Sequence, residues 1–361
     1  MPTRRQFLSH CSFAALGLGC CARALSSGDR DTLPDGSASK DMITAEAQKA
    51  IDQGLAYLAR HQHQDGSFGS IQYHGNVAIT SLAALAMMAG GHQPGRGGYS
   101  DVVTRALRYV LDQDDGRGYL ISKTGTSHGP MYGHGFGALF LAEVHGMVHD
   151  RELRDRLRDT LKRAIKLIVD HQNPEGGWRY HPGSRDADIS VTICQIMALR
   201  AARNAGFYVP KSTVDRCTRY VKNCQDREGG FRYQQFGGVA QFARSAAGVV
   251  ALHCAGIYKG PEVDSGLKYL MQFKPTGAFV RPDVHLHYFY GHYYAAQAMW
   301  TAGDAYWKEW YPAIRDELVN HPDRHRQQGC WQDHRFSNDY GTSMACIILQ
   351  IPNNYLPILQ K

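Results

Sequence analysis

The sequence predicts an all-α protein, an α/α toroid in which six helical hairpins supply twelve helices. Three observations carry that expectation. A turn pattern repeats, as Gln62-x3-Gly66-x-Phe68, Gln172-x3-Gly176-x-Trp178 and Gln225-x3-Gly229-x-Phe231, with shorter copies at Gly116-x2-Tyr119, Gly277-x-Phe279 and Gly329-x-Trp331. Its aromatic recurs at 68, 119, 178, 231, 279 and 331, at intervals of 51, 59, 53, 48 and 52 residues, a period that marks a repeat architecture. Helices with a polar face alternate with helices of small and apolar residues on either side of each turn.

Ahead of the repeats, residues 1–24 read as a twin-arginine signal peptide. Thr3-Arg4-Arg5-Gln6-Phe7-Leu8 pairs arginines with apolar residues, a short apolar stretch runs from Phe7 to Cys21, and Ala22-Arg23-Ala24 resembles a cleavage site. Cys20 raises a lipid anchor as an option, although Gly17-Leu18-Gly19 is a poor lipobox. Residues 25–40 are polar and rich in Gly and Ser, the composition of a flexible linker. No later apolar run reaches the roughly 18 residues of a membrane span. The expectation is an exported protein, soluble or with peripheral membrane contact.

The toroid is expected over residues 41–361. In each repeat an outer helix, such as Ile43–Arg60 or Asp155–His171, places its apolar residues on one side. The Gly-rich turn follows. An inner helix comes next, as in Ala78–Met88, Ser190–Ala202, Ser245–Cys254 and Tyr293–Ala302. Gly90, Gly146, Gly206, Gly256 and Gly303 stand at the expected ends of the inner helices, where glycine supplies a left-handed cap. Small residues suit helices packed on two sides, so these belong inside. Closure of the first repeat against the sixth gives a ring; an open superhelix is the competing geometry.

The formal net charge of the 361-residue chain is +7, and removing Arg4, Arg5 and Arg23 with the leader leaves 7 − 3 = +4. Basic residues are dispersed among acids, as in Arg151-Glu-Leu-Arg-Asp155, which excludes a nucleic-acid footprint. The six cysteines beyond the leader lack CxxC spacing, so they read as buried small hydrophobes. No cofactor is assigned.

Gly54-x2-Tyr57-Leu58-x3-Gln62-x3-Gly66-x-Phe68 resembles the QW repeat of squalene–hopene and oxidosqualene cyclases, and the unit is similar to that of protein prenyltransferase β subunits. The resemblance covers roughly 41–350. It implies that Gln62, Gln172, Gln225, Phe68, Trp178 and Trp331 are scaffold, tying neighbouring outer helices together. It also implies a place for acid chemistry. Those cyclases protonate an alkene with the middle Asp of a DxDD-Thr motif, and the matching stretch here is Asp186-Ala187-Asp188-Ile189-Ser190. The last Asp is replaced by Ile189. Asp188 would be the acid and Asp186 its partner, or one of them caps the inner helix. The zinc ligands of protein prenyltransferases fall on Tyr290, His292 and Gly341, so that zinc site is lost and protein prenylation is rejected.

Polar residues at the starts of the inner helices form the candidate site: His74 and Asn76; His128, Tyr132 and His134; Asp186 and Asp188; Gln241 and Arg244; Tyr290, His292 and Tyr293; Asp339 and Tyr340. A closed ring brings them to one mouth. His134 or His292 would act as general base, and Arg244 would pair with a diphosphate or carboxylate. Tyr288, Phe289, Tyr290, Tyr293 and Tyr294 would line a cavity, whereas Tyr306, Trp307, Trp310 and Tyr311 read as packing on an outer helix. The blander reading of each residue is a helix cap or a packed side chain. His285, His287 and His292 have metal-compatible spacing, but no metal is assigned. Three readings stay open: an enzyme similar to terpene cyclases acting on an isoprenoid-like molecule, a non-catalytic lipid- or peptide-binding module, and an exported carbohydrate-active α/α-barrel enzyme.

Overall fold

The computed structural model describes residues 39, 41–124, 128–277 and 287–360. The leader, Phe279, His285 and all of the linker except Ser39 lie outside the described residues. Twelve α-helices pair into six hairpins among the described residues. The outer helices are α1 (Ala45–His61), α3 (Ser100–Asp112), α5 (Arg151–Asp170), α7 (Lys211–Cys224), α9 (Pro261–Met271) and α11 (Asp304–Asn320). The inner helices are α2 (Val77–Ala89), α4 (Pro130–Val144), α6 (Ile189–Asn204), α8 (Phe242–Cys254), α10 (Tyr288–Ala302) and α12 (Asn338–Gln350). Each inner helix packs on the next, and α12 packs back on α2. The ring closes, and the open superhelix is excluded.

Outer helices form where local signals agree. In α5, Asp150 accepts the Leu153 N–H at 2.7 Å, and Leu153, Leu157, Leu161, Ala164, Ile165 and Ile168 make one buried stripe. Each buried leucine contributes about 1.5–3 kcal/mol relative to exposure. Inner helices have no polar side to spare: in α2 every residue except Ala78 is buried.

The turns act as implied by the resemblance. The Gln62 Nε2 donates to Gly66 O and to Val102 O, both at 2.9 Å; Gln172 bonds Gly176 O at 2.7 Å and Thr213 O at 2.9 Å; Gln225 bonds Gly229 O at 2.9 Å and Glu262 O at 2.8 Å. Each amide ties its turn to the first turn of the following outer helix. The glycine of the turn sits at positive φ against that helix's backbone. Gly66 abuts Arg105, Gly118 abuts Arg163, Gly176 abuts Arg216, Gly229 abuts Ser265, and Gly329 abuts Gln53 of α1 across the closure. Gly118 therefore holds the repeat position in the second hairpin, and the residue two beyond it is Leu120. The aromatic register read at Tyr119 is off by one.

Gly146, Gly206 and Gly256 have φ of 87°, 91° and 91°. After α2 that role belongs to Gly91 (φ 86°), since Gly90 has φ −84°. In the last turn Arg324–His325 pairs with Cys330–Trp331 as a short antiparallel ribbon. The six described cysteines are free and buried, and no described helix is long and apolar enough to cross a membrane.

The chain's end crosses the C-terminal ends of the inner helices. Asn353 Nδ2 donates to Ala89 O at 3.1 Å, Ile358 N–H to Glu143 at 3.0 Å, Trp300 Nε1 to Leu359 O at 3.0 Å and Arg200 Nη2 to Gln360 O at 3.1 Å. These contacts seal the base of the ring, and a cavity remains at the opposite end.

Candidate active site

The cavity has a volume of about 320 Å³ and lies where the six inner helices begin. The third residue of five of these helices faces it: Ile79, Tyr132, Arg244, Tyr290 and Tyr340, while α6 contributes its second residue, Ser190. The fourth or fifth residue points the other way. There a side chain accepts the backbone N–H of the preceding turn: Phe68 N–H to Thr80 at 3.0 Å, Trp178 N–H to Thr192 at 3.1 Å, Phe231 N–H to Ser245 at 2.8 Å and Trp331 N–H to Thr342 at 3.0 Å. In the second repeat that acceptor is Nδ1 of His134, bonded by Leu120 N–H at 3.2 Å.

This division sorts the residues expected at the site. Arg244, Tyr290, Tyr340, His128 and Tyr132 line the cavity, as do Asn76 and Gln241. His134 does not; it is 0 % exposed, packs edge-on against Tyr119, and burial holds its imidazole down at about 4. His292, the fifth residue of α10, packs against Phe242, Tyr288 and Trp310 rather than the cavity, and burial pushes it down to about 3. It therefore shares no metal site with His287, which lines the mouth. Tyr293 lies below the cavity floor, edge-on to Phe136. Asp339 is buried and accepts Gly69 N–H at 2.8 Å, tying the last repeat to the first. Of the other expected lining aromatics, Tyr288 donates to Glu317 at 2.8 Å, Phe289 is buried beside His321, and Tyr294 meets the Cys194 thiol at 3.6 Å.

The aspartates sit behind the wall. Asp188 is 0 % exposed and caps α6, accepting Val191 N–H at 2.9 Å; its other oxygen meets Arg179 Nη1 at 3.1 Å. Burial raises its carboxyl to about 6, against the pull of the cap and of Arg179. Asp186 is half exposed, 3.5 Å from Arg179 and bonded by Gln234. The two carboxylates thus share a guanidinium, not a proton. Arg179 stacks over Tyr180 and Tyr233 at 4.6 and 5.2 Å and donates to the Tyr233 hydroxyl at 3.0 Å. The Tyr180 and Tyr233 hydroxyls are 2.6 Å apart, and both rings line the cavity.

Tyr73, Tyr180, Tyr233, Arg335 and Phe336 also line it, none of them singled out by the sequence, as does His287, which the sequence marks only by its metal-compatible spacing. They come from the irregular segments between turn and inner helix. Gly129 (φ 95°) makes one close approach possible, since a Cβ there would fall 2.7 Å from the Tyr180 ring. Phe336 packs edge-on to Tyr73 and Tyr340 at 5.4 and 5.0 Å. Tyr290 donates to Ser190 O at 3.0 Å. Burial raises the phenols of Tyr132, Tyr290 and Tyr340 well above the ordinary value, so they stay protonated. A wider groove of about 670 Å³ lies outside the ring between α3 and α5, and in it Arg156 pairs with Asp112 and Arg163 with Asp114.

A closed ring of helical hairpins with an aromatic-walled cavity at the head of its inner helices defines the class. Residues 37–119 and 139–275 match the model of the prenyltransferase alpha-alpha toroid domain, and the chain belongs to that family. Among curated proteins it is similar to drimenyl diphosphate synthases from Streptomyces showdoensis (26 % identity over 51 % of this chain and 32 % of that protein) and from Streptantibioticus cattleyicolor (33 % identity over 32 % of this chain and 21 % of that protein). The match thus spans a third or less of those relatives' length. Similar solved structures include the type II terpene cyclase MstE from Scytonema (TM-score 0.57, 15 % identity, 87 % of this chain and 100 % of that one). Others are cellobiose 2-epimerase from Bacillus thermoamylovorans (TM-score 0.62, 12 % identity, 86 % of this chain and 98 % of that one) and an α-1,6-mannanase of Salegentibacter (TM-score 0.60, 8 % identity, 87 % of this chain and 99 % of that one). At these identities the structures share the fold alone.

Proposed function

We propose that this toroid takes a compact hydrophobic molecule of isoprenoid type into the cavity at the head of its inner helices, and that it works outside the cytoplasm. The leader with Arg4 and Arg5 supports the location. One observation carries the ligand class: the wall is built of aromatic faces, among them Tyr73, Tyr132, Tyr180, Tyr290 and Phe336, over a floor of Ile79, Leu82 and Phe136. Such faces bury large apolar area and tolerate positive charge. Ligand pockets run roughly 300–1,000 Å³, so a cavity of about 320 Å³ favours a short chain over one of triterpene length. The likeness to drimenyl diphosphate synthases supports the same class.

The carbohydrate reading fares less well. Glycoside hydrolysis uses two carboxyl groups flanking the bond, and none of the described lining residues is a carboxylate. Calorimetric titration with farnesol and with mannobiose tests the choice. Saturable farnesol binding with no mannobiose signal is expected; the opposite result removes the isoprenoid reading.

A second reading, that Asp188 also protonates and cyclises the bound chain with Asp186 as partner, has one observation in its favour. The raised Asp188 carboxyl reaches the cavity wall through Arg179 and Tyr233. Against it, a guanidinium stays protonated and is a poor relay. Turnover lost in Asp188→Asn with farnesol binding intact would support it.

A further inference from the structure

The segment between the first turn and α2 forms a lip on the cavity. Residues 70–74 stand between two glycines at positive φ, Gly69 at 106° and Gly75 at 67°. Both glycines are pinned to other repeats. The Gly69 N–H donates to Asp339 of α12 at 2.8 Å, and the Tyr109 hydroxyl of α3 donates to Gly75 O at 2.6 Å. Between these pins Ile71–Tyr73 make one turn of 3-10 helix. That turn sets Tyr73 in the cavity wall, edge-on to Phe336 at 5.4 Å. Its first residue, Ile71, is 92 % exposed at φ 52°, a left-handed backbone that strains a β-branched side chain. The strain favours release of the lip.

Two imidazoles oppose that release. His74, exposed at the end of the lip, stacks on half-buried His63 of the first turn, with ring centroids 4.1 Å and planes 11° apart. The Ser67 hydroxyl donates to Asp65 at 2.7 Å, so it accepts from Nδ1–H of His63 at 3.0 Å. Nε2 is then the nitrogen of His63 that takes up a further proton. The pair is no chelate: lone pairs lie in the ring planes, and planes this nearly parallel do not converge on one ion. We infer that residues 70–74 are a pH-sensitive lip, which the His63–His74 stack holds closed while the rings are neutral and which swings outward, widening the mouth beside Tyr73, when both are protonated. Its effect on a ligand rests on the reading of the cavity as a binding site; its motion does not.

The surroundings set the order of events. Facing the pair are Asp65 on the turn, His61 at the end of α1, Tyr109 on α3 and Asp339 on α12. Burial, then the neighbouring His74, holds the His63 imidazole below its ordinary value, against the pull of Asp339 and Asp65. Against burial, the bonds from Ser67 hold the Asp65 carboxyl below its ordinary value, while burial raises the Tyr109 phenol, which stays neutral. Ionised Asp65 favours a first proton on the pair. The second proton must join a ring that already faces a cation, and this is the step that parts the stack. The closed lip therefore belongs to the higher pH and is lost as pH falls.

Hydrogen exchange read by mass spectrometry tests the motion without a ligand. The closed lip bonds the Tyr73, His74 and Asn76 N–H groups to Ser70 O, Ile71 O and Tyr73 O. Their exchange, corrected for the intrinsic rate and set against a control peptide from α5, is compared at about pH 7.5 and about pH 5, either side of the ordinary histidine value of roughly 6.5. In wild type it should be at least about fivefold faster at the lower pH, the effect of two like charges about 4 Å apart in water. His74→Phe keeps a ring on His63 that cannot be charged and should stay protected at both. His74→Ala removes the stack and should exchange fast at both. Circular dichroism checks the fold of each. A wild-type rate that does not respond to pH overturns the lip, and so does a His74→Phe lip that opens as wild type does, which would move the switch to Asp339. Stopped-flow binding of farnesol adds the ligand arm: entry should be faster at low pH in wild type and independent of pH in His74→Phe. Exchange that switches while farnesol entry stays constant overturns the lip as a gate. Farnesol that binds at neither pH overturns the isoprenoid reading and leaves the lip to the exchange result.

Discussion

The backbone N–H of Leu120 donates to Nδ1 of His134 at 3.2 Å, placing a histidine where Thr80, Thr192, Ser245 and Thr342 stand in other repeats. The bond needs a neutral ring, and burial keeps it so by holding the imidazole at about 4 against the ordinary 6.5. His134→Ala leaves a buried N–H unpaired and a void, costing about 3 kcal/mol. His134→Thr restores an acceptor and should cost less. Between pH 6.5 and 4 the unfolded chain takes the proton that the native state refuses, so the advantage of wild type over the alanine variant shrinks as pH falls through that window. Urea unfolding across this pH range measures it. Unchanged stability with lost ligand binding would instead return His134 to the site.

A second test separates the repeated turn from ordinary glycine turns. Gly176 has φ 99° and abuts the Arg216 carbonyl of α7, whereas Gly183 has φ 80° with nothing within 4 Å. Both alanine variants bear left-handed strain of about 1 kcal/mol. Gly176→Ala must also push α7 outward, for a total of about 3 kcal/mol or more. Chemical denaturation of the two variants side by side should show this gap; equal losses would mean the turn does not brace the outer ring.

The ring was legible because Gln, Gly and the aromatic recur with one spacing, and each has a separate physical task at the turn. In the second repeat neither Gly116 nor Gly118 is followed two residues on by an aromatic, so the nearby Tyr119 takes the place of Leu120 in the sequence reading, and only the approach to Arg163 selects Gly118. The mouth was half legible. Being near an inner-helix start brings a residue to the right height, but successive residues turn by about 100°. Tyr132 therefore faces the cavity while His134 faces Leu120. Tyr180, Tyr233, Arg335 and Phe336 lie in irregular segments, where no period marks which side is inward. The repeat supplies the missing phase: the third helical residue points in, and the acceptor of the turn N–H points out.

Asp188 joins the scaffold to the cavity wall. In Asp188→Asn the amide oxygen can still cap α6, but Arg179 keeps the half-exposed Asp186 at 3.5 Å as its one carboxylate among the described residues. Removing one partner of this inner ion pair should cost about 3 kcal/mol. Adding Arg179→Gln should cost less than the two single losses combined, because the cycle removes the stranded charge. Thermal melts of the four proteins supply the coupling. Strict additivity would mean that Arg179 and Asp188 do not act as a pair.

Glu143 gives the base of the ring a pH dependence. It is 1 % exposed on α4, and one oxygen accepts the Ile358 N–H at 3.0 Å. Burial raises its carboxyl from 4.5 to about 8, outweighing that bond and Arg200. Between these values the native state holds a proton that the unfolded chain has released. Stability from this group is thus complete below pH 4.5 and is lost as pH rises through about 8, at up to about 1.4 kcal/mol per pH unit. Glu143→Gln keeps the shape and an acceptor for Ile358 but cannot ionise. It should melt near wild type at pH 4.5 and above wild type at pH 8, with the gap widening between. Scanning calorimetry over this range decides the matter; parallel melting curves for the two proteins would mean that Glu143 is already ionised beneath the C-terminal segment.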